Sequence, residues 1–249
     1  MDTIQKFAEM LQESSDVVFF GGAGVSTESG VKDYRSSDGI YNTVKDYGVS
    51  PEVILSHDFF MEHPDVFYRF YAEYFLNLSA KPNAAHKAIA ELEAMGKIKA
   101  VITQNIDELH QAAGSRNVLE LHGTTQKYHC VRCRKSYLHE KVEALNGKIP
   151  YCPSCGGLIR PEVTLYGEML NQDVESRAIR ALEQADMLIV GGTSLVVYPA
   201  AAYLNFFRGR YIVVINRDET FMDAKSSLVF HENIGAVFQK VMPLVRQKR

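Results

Sequence analysis

The sequence predicts an α/β chain, a doubly wound, Rossmann-like parallel sheet interrupted by a smaller inserted domain. Three observations lead there. Short β-branched and aromatic runs alternate with amphipathic helical segments, the pattern of strand–helix–strand units that builds a parallel sheet. Nearly every run ends in glycine or polar residues, and the carboxyl ends of such strands are where an open α/β sheet holds ligands. All four cysteines fall in two Cys-x-x-Cys pairs, Cys130/Cys133 and Cys152/Cys155, with 18 residues between the pairs. That spacing matches a four-thiolate zinc site.

Taken in order, residues 2–14 read as a helix, with Ile4, Phe7, Ala8 and Leu11 on one face and Asp2 or Thr3 as cap. Val17–Phe20 is a buried strand that runs into the small-residue turn Gly21-Gly22-Ala23-Gly24. Such a turn brings backbone close to a ligand, and bare N–H groups there hold phosphate. As a dinucleotide fingerprint it is incomplete, because Thr27 stands where a third glycine or alanine is expected. Asp33-Tyr34-Arg35 follows, an acid, an aromatic ring and a guanidinium side by side.

Residues 36–50 are rich in glycine, serine, aspartate and tyrosine and lack a period, which reads as a mobile loop able to close over a ligand. Pro51–Leu78 is helical and aromatic-rich, the core of a small helical module. A helix over 83–95 precedes the strand Ile98–Ile102, which ends in Thr103-Gln104-Asn105-Ile106-Asp107. Asn105 also suits the cap of a helix over 106–113, but a cap needs one such residue, not four. Residues 117–123 form a third strand ending on His122-Gly123, and a histidine there suits a general base.

Beyond the cysteines, Val163–Glu168 is an apolar stretch with a glycine hinge, and 172–185 is helical. Strands are expected at 186–190, 211–215 and 228–230, with Gly192-Thr193-Ser194 and Asn216 closing the first two. Pro199–Phe207 reads as helical, and Asn233 reads as the cap of a last helix from Ile234. The sheet domain is then 1–35, 81–123 and 161–249. The loop and helical module span 36–80, and the zinc-binding insert spans 124–160. Four thiolates leave no open coordination position, so the metal, Zn2+, is structural with one ion per chain.

Composition bounds the partners. The 249 residues carry a net charge of −3 with 46% hydrophobic and 23% charged residues, so no basic field recruits nucleic acid or an anionic membrane. No apolar run approaches a membrane span. The polar amino-terminal residues do not read as a signal peptide, and the cysteine usage suits a reducing compartment, so the expected location is cytoplasmic.

The ordered set Gly22-Ala23-Gly24-Val25-Ser26, Thr103–Asp107, His122-Gly123, two cysteine pairs, Gly192-Thr193-Ser194 and Asn216 resembles the sirtuin family of NAD-dependent protein-lysine deacylases, over almost the whole chain. The resemblance implies NAD as co-substrate and an acyl-lysine protein or peptide as partner. The acyl oxygen attacks the ribose carbon that bears nicotinamide. His122 then serves as base for the ribose hydroxyls, and the products are free lysine, nicotinamide and 2′-O-acyl-ADP-ribose. His122, Asn105 and Asp107 are the implied catalytic residues. Cofactor contacts are implied at Gly22, Ala23, Gly24, Thr27, Asp33, Tyr34, Arg35, Gln104, Asn105, Ile106, Asp107, His122, Gly192, Thr193, Ser194, Asn216 and Ile234. The peptide is implied as an extended strand between Val163, Leu165, Tyr166, Gly167 and Glu168 on one side and Leu195, Val196 and Tyr198 on the other.

Two departures stand out. Val31-Lys32-Asp33-Tyr34-Arg35 replaces the family's Ile-Pro-Asp-Phe-Arg, keeping acid, ring and guanidinium but substituting lysine for proline. Tyr68 matches the desuccinylase branch, yet Tyr71 stands where that branch has arginine, so uncharged acyl groups such as acetyl are expected. The alternatives are an NAD-dependent protein ADP-ribosyltransferase, a non-catalytic NAD or ADP-ribose sensor, and a zinc-lobed dehydrogenase. The dehydrogenase would need a second, open metal site or an obvious hydride-transfer pair, and no cysteine remains for such a site.

Overall fold

The computed structural model describes residues 2–33, 39–40, 47–76, 79–143, 145 and 147–247. Helix α1 (Thr3–Glu13) is capped by Asp2, whose side chain accepts from the Ile4 N–H, and it buries Phe7, Ala8 and Leu11. Strand β1 (Val17–Gly21) is buried along its whole length, as expected of a parallel strand covered on both faces.

Among the described residues the helical module holds three helices, α2 (Pro51–Ile54), α3 (His57–Glu62) and α4 (Pro64–Tyr74). Helix α5 (Ala84–Ala94) and strand β2 (Ile98–Thr103) follow. Helix α6 is a single turn, Leu109–Ala112, shorter than the expected 106–113. Asn105 does not cap it, because its amide is turned to Ser26; Asp107 accepts from the Leu109 N–H at 3.0 Å instead.

Strand β3 (Val118–Glu120) pairs with β2. The insert contributes β4 (Gly123–Cys130), β5 (Ser136–Leu138), helix α7 (His139–Glu143) and β6 (Ile159–Val163). Then come α8 (Gln172–Gln184), β7 (Met187–Gly191), β8 (Tyr211–Ile215), β9 (Leu228–Phe230) and α9 (Ile234–Arg246). Residues Ala200–Phe206 form a 3₁₀ helix rather than an α-helix. In that geometry residues i and i+3 line up, which buries Ala200 with Tyr203 and Ala201 with Leu204.

The main sheet has six strands in the order β3-β2-β1-β7-β8-β9, all parallel. Side chains alternate between its faces. Val17 and Phe19 join the cluster under α1, α5 and α9, with Leu11, Ile89, Leu92, Val237 and Phe238. Val18 and Phe20 join the opposite cluster, with Ala178, Leu182, Tyr203 and Leu204. Both faces are therefore covered, and burial of these large side chains is the main stabilising term. Strand order reverses beside β1, between β1 and β7, so the crevice at their carboxyl ends is a topological switch point.

The second lobe is a three-stranded antiparallel sheet, β5-β4-β6. It shares one core with the helical module, in which Phe60, Phe67, Tyr68, Phe70 and Tyr71 pack with Tyr128, Cys130, Cys152 and Ile159. After β3 the chain enters the second lobe at Gly123. Its φ is +76°, and a Cβ there would lie 1.9 Å from the Glu162 carbonyl oxygen, so only glycine fits. No helix among the described residues is long and apolar enough to cross a membrane.

Candidate active site

The glycine turn after β1 packs directly on the turn after β7. A Cβ on Gly24 would lie 2.8 Å from Gly192 Cα, and the Gly24 N–H donates to the Gly192 carbonyl at 2.8 Å. The Gly22 N–H donates to Gly191 at 3.3 Å. These two N–H groups therefore tie the turns together rather than standing bare. Gly192 takes the left-handed conformation, φ +59°, that lets the turns touch.

Ser26, fully buried just after the turn, is the hub of a side-chain triad. Its hydroxyl lies 2.7 Å from Asp107 Oδ2 and accepts from Asn105 Nδ2 at 3.0 Å. The Asn105 N–H is held by Thr103 Oγ1 at 3.0 Å, and Gln104 Nε2 donates to Thr193 Oγ1 at 3.0 Å. Strand ends 80 or so residues apart in sequence are thus fixed to one another by side chains of the polar runs, and positioning of this kind is a large part of catalysis.

His122 lies between β3 and β4. Its Nδ1 is 3.0 Å from the Gln104 carbonyl oxygen. A carbonyl only accepts, so Nδ1 carries the proton and Nε2 holds the lone pair. Burial lowers the pKa of the ring below its ordinary value, against a smaller upward pull from the Gln104 carbonyl. The ring is thereby neutral and able to accept a proton at neutral pH.

These groups open on one cleft of about 340 Å³. Of the expected contacts, Gly22, Ala23, Gly24, Thr27, Asp33, Gln104, Asn105, Ile106, His122, Gly192, Thr193, Ser194, Asn216 and Ile234 line it, as do Val163, Leu165, Tyr166, Gly167, Glu168 and Tyr198. Asp107 does not reach the wall and acts on it from behind Ser26. Leu195 is buried in the apolar layer, and Val196 is exposed beside the cleft. Tyr34 and Arg35 lie outside the described residues, as does most of the expected mobile loop.

Other wall residues were not among the expected contacts, although Tyr71 was singled out for its bearing on the acyl class. Phe67, Tyr71 and Phe75 belong to the module core and also face the cleft. Glu28 lines it and accepts from the Gly235 N–H at 2.7 Å. It supplies the negative charge at the amino end of α9, where Asn233, the expected cap, makes no side-chain cap bond. Ser26 was visible only as one position of the quoted motif.

Away from the cleft, the four cysteine sulfurs lie within 4.8 Å of one another. Cys130–Cys155 is 3.5 Å and Cys133–Cys152 is 3.6 Å. A tetrahedron with Zn–S near 2.3 Å has edges of about 3.8 Å, so the set fits one zinc ion. The residue after each pair, Arg134 and Gly156, has positive φ, giving the two knuckles the same turn. Tyr137 Oη lies 2.9 Å from Cys152 Sγ, an outer-shell donor to a thiolate.

The chain matches the model of the Sir2 family over residues 22–199. It is 49% identical over 239 residues to an NAD-dependent protein deacetylase of Clostridium tetani, covering 95% of this chain and 96% of that one. It is 47% identical to the protein of the same name from Clostridium acetobutylicum, covering 97% and 99%. A solved Sir2 enzyme superposes with a TM-score of 0.91 at 41% identity, covering 100% and 99%. A complex of Sir2 with a p53 peptide and NAD+ superposes with a TM-score of 0.87 at 42% identity, covering 98% of each chain. On sequence, fold and cleft together, this chain belongs to the Sir2 family.

Proposed function

We propose that this chain removes acetyl, or another uncharged acyl group, from lysine side chains of proteins, with NAD as co-substrate and nicotinamide and 2′-O-acyl-ADP-ribose as products. The observation that carries the reading is His122, held neutral with its Nε2 lone pair free beside the Ser26–Asn105–Asp107 triad. NAD supplies the electrophilic sugar carbon and the leaving group. The protein supplies position and one base. Asn105 faces the cleft as a polar contact for the ribose and carboxamide, oriented by Ser26 and Asp107. His122 accepts a proton from a ribose hydroxyl at Nε2. Gln104, held by Thr193, orients the His122 ring through its carbonyl and presents its amide to the ribose. The contacts assigned to Tyr34, Arg35 and Asn216 remain part of the proposal.

The acyl class is supported by the inner wall, where Leu55, Phe67, Tyr71, Phe75, Ile106 and Leu165 are apolar or aromatic. Tyr71 is buried with its hydroxyl 3.3 Å from that of Tyr128. A related complex, Sir2Tm with a propionylated peptide, matches this fold with a TM-score of 0.86 at 40% identity.

The peptide would lie between residues 163–168 and 195–198, paired through main-chain groups. Within 164–168 the N–H groups of Thr164, Leu165, Tyr166 and Glu168 already donate inside the protein. Gly167 has no such partner among the described residues, so it is the N–H available on that side. Mass spectrometry of an acyl-lysine peptide panel incubated with NAD tests the reading. Loss of the acyl group with formation of acyl-ADP-ribose supports it, and ADP-ribosylated peptide with the acyl group retained refutes it.

A further inference from the structure

Asn83 joins two parts of the molecule with one amide. Its Oδ1 accepts from the Ala85 and His86 N–H groups at 2.9 and 3.3 Å, capping α5. Its Nδ2 donates to the Val25 carbonyl at 2.7 Å and to Ser29 Oγ at 3.0 Å. The group has two donor hydrogens and two acceptor lone pairs, and all four are engaged. Its own N–H donates to His86 Nδ1 at 3.3 Å, which completes a reciprocal cap.

The two donor bonds matter for where they land. Val25 and Ser29 bracket Ser26 in the turn, and the Ser29 N–H returns to the Ser26 carbonyl at 2.9 Å. Ser26 is in turn the shared partner of Asn105 and Asp107. A rigid helix end therefore sets the path of the one residue whose hydroxyl aligns both polar side chains of the next strand end. A cap needs only the acceptor; the donor half of Asn83 is surplus to that purpose, and it is the half aimed at the site.

We propose that Asn83 is a positioning residue for nicotinamide release, acting on Asn105 and Asp107 through Ser26; this rests on the NAD-dependent deacylase reading above. Displacement of about 1 Å at a reacting centre costs up to about 100-fold, so even a partial release of the turn is measurable. Asn83→Asp and Asn83→Ser separate the two halves of the side chain. Both keep an oxygen for the α5 cap, and both lose the paired amide donors.

The test measures nicotinamide release from NAD with an acetyl-lysine peptide, for wild type, Asn83→Asp, Asn83→Ser, Ser26→Ala and the double variant Asn83→Ser/Ser26→Ala. Each Asn83 variant is expected to lose about tenfold or more in kcat/KM for NAD, with the peptide KM unchanged. Because the effect passes through Ser26, the double variant is expected to fall within about threefold of Ser26→Ala alone, where independent sites would multiply their losses. A thermal melt followed by circular dichroism identifies the folded variants, and Asn83→Asp, with an intact cap, decides the matter should Asn83→Ser not fold. Wild-type release of nicotinamide with Asn83 variants within twofold of it overturns the proposal, as does a double variant whose loss is the product of the single losses. A wild-type enzyme that releases no nicotinamide overturns the functional reading itself, before Asn83 is at issue.

Discussion

The Nδ1–H of His122 donates to the carbonyl of Gln104 at 3.0 Å, and that single bond fixes which nitrogen of the ring is basic. Gln104 belongs to the polar run after β2, whose side chains hold Thr193 and Ser26. The His122 ring is therefore oriented by the same segment whose side chains tie the ends of β1, β2 and β7 together. Burial adds a second effect by holding the ring neutral.

Replacing His122 by alanine should stall the reaction after nicotinamide has left. Loss of a general base typically costs about 10²–10⁴ in rate. Deacylation should fall by that order, while exchange of labelled nicotinamide into NAD continues in the presence of acyl-lysine peptide. The wild-type acid limb should lie below the ordinary histidine value of about 6.5, since burial lowers the pKa and the neutral ring is the active form. Deacylation within a few-fold of wild type in His122→Ala would refute the assignment.

Asn105→Ala and Asp107→Asn should slow nicotinamide release itself. Asn105 lines the cleft, whereas Asp107 stands behind Ser26 at 2.7 Å. The loss from Asp107→Asn should accordingly be the smaller of the two, because the one amide oxygen can still accept from the Ser26 hydroxyl, at the expense of the bond from the Leu109 N–H. Release at the wild-type rate in both variants would remove the triad from the chemistry.

How legible was this site in the sequence? The strands were readable because parallel strands buried on both faces are unbroken apolar runs, as in Val17–Phe20 and Leu188–Val190. The polar run at 103–107 was readable because it follows such a strand at once. Roles that depend on distant partners left no local trace. Glu28 caps α9 through Gly235, 207 residues away. Asn105 has the chemistry of a cap, but a buried serine on another strand end outcompetes the helix for it. Phe67, Tyr71 and Phe75 carry the period of a packed helix, and nothing in that period distinguishes a core face from one that also walls a cleft.

One zinc per chain is expected by metal analysis, and Cys130→Ser or Cys152→Ser should remove it. Both sulfurs are nearly inaccessible and sit in the shared core of the small lobe. Binding energy at such a site is folding energy, so chelation should lower the melting temperature of the protein. Activity should be lost with it, since α4 of the same lobe carries cleft residues Phe67 and Tyr71. Full zinc content in the Cys130→Ser/Cys152→Ser double variant would disprove the site.

Acid stability should be governed in part by a buried pair of histidines. The rings of His86 and His110 meet edge-on at 4.8 Å, and Phe19 lies 5.8 Å from His110. Among the described residues, neither nitrogen of His110 has a hydrogen-bond partner, nor has His86 Nε2. Desolvation, with repulsion from His86 second, pushes His110 down to about 3; His86 is lowered by desolvation too, against an opposing pull from Asp107. The sign follows from linkage. Below the unfolded value of about 6.5 the unfolded chain takes up protons that the native state refuses, so stability is whole above that pH and falls as pH drops toward 3. One such proton costs at most about 1.4 kcal/mol per pH unit. His110→Phe should flatten the loss, because a phenyl ring fills the same space and has nothing to protonate. Urea denaturation at pH 7.5 and 5.5 measures it: the midpoint of the wild type should drop more between the two than that of the variant. Equal drops would mean that His110 is protonated as readily in the folded chain as in the unfolded one.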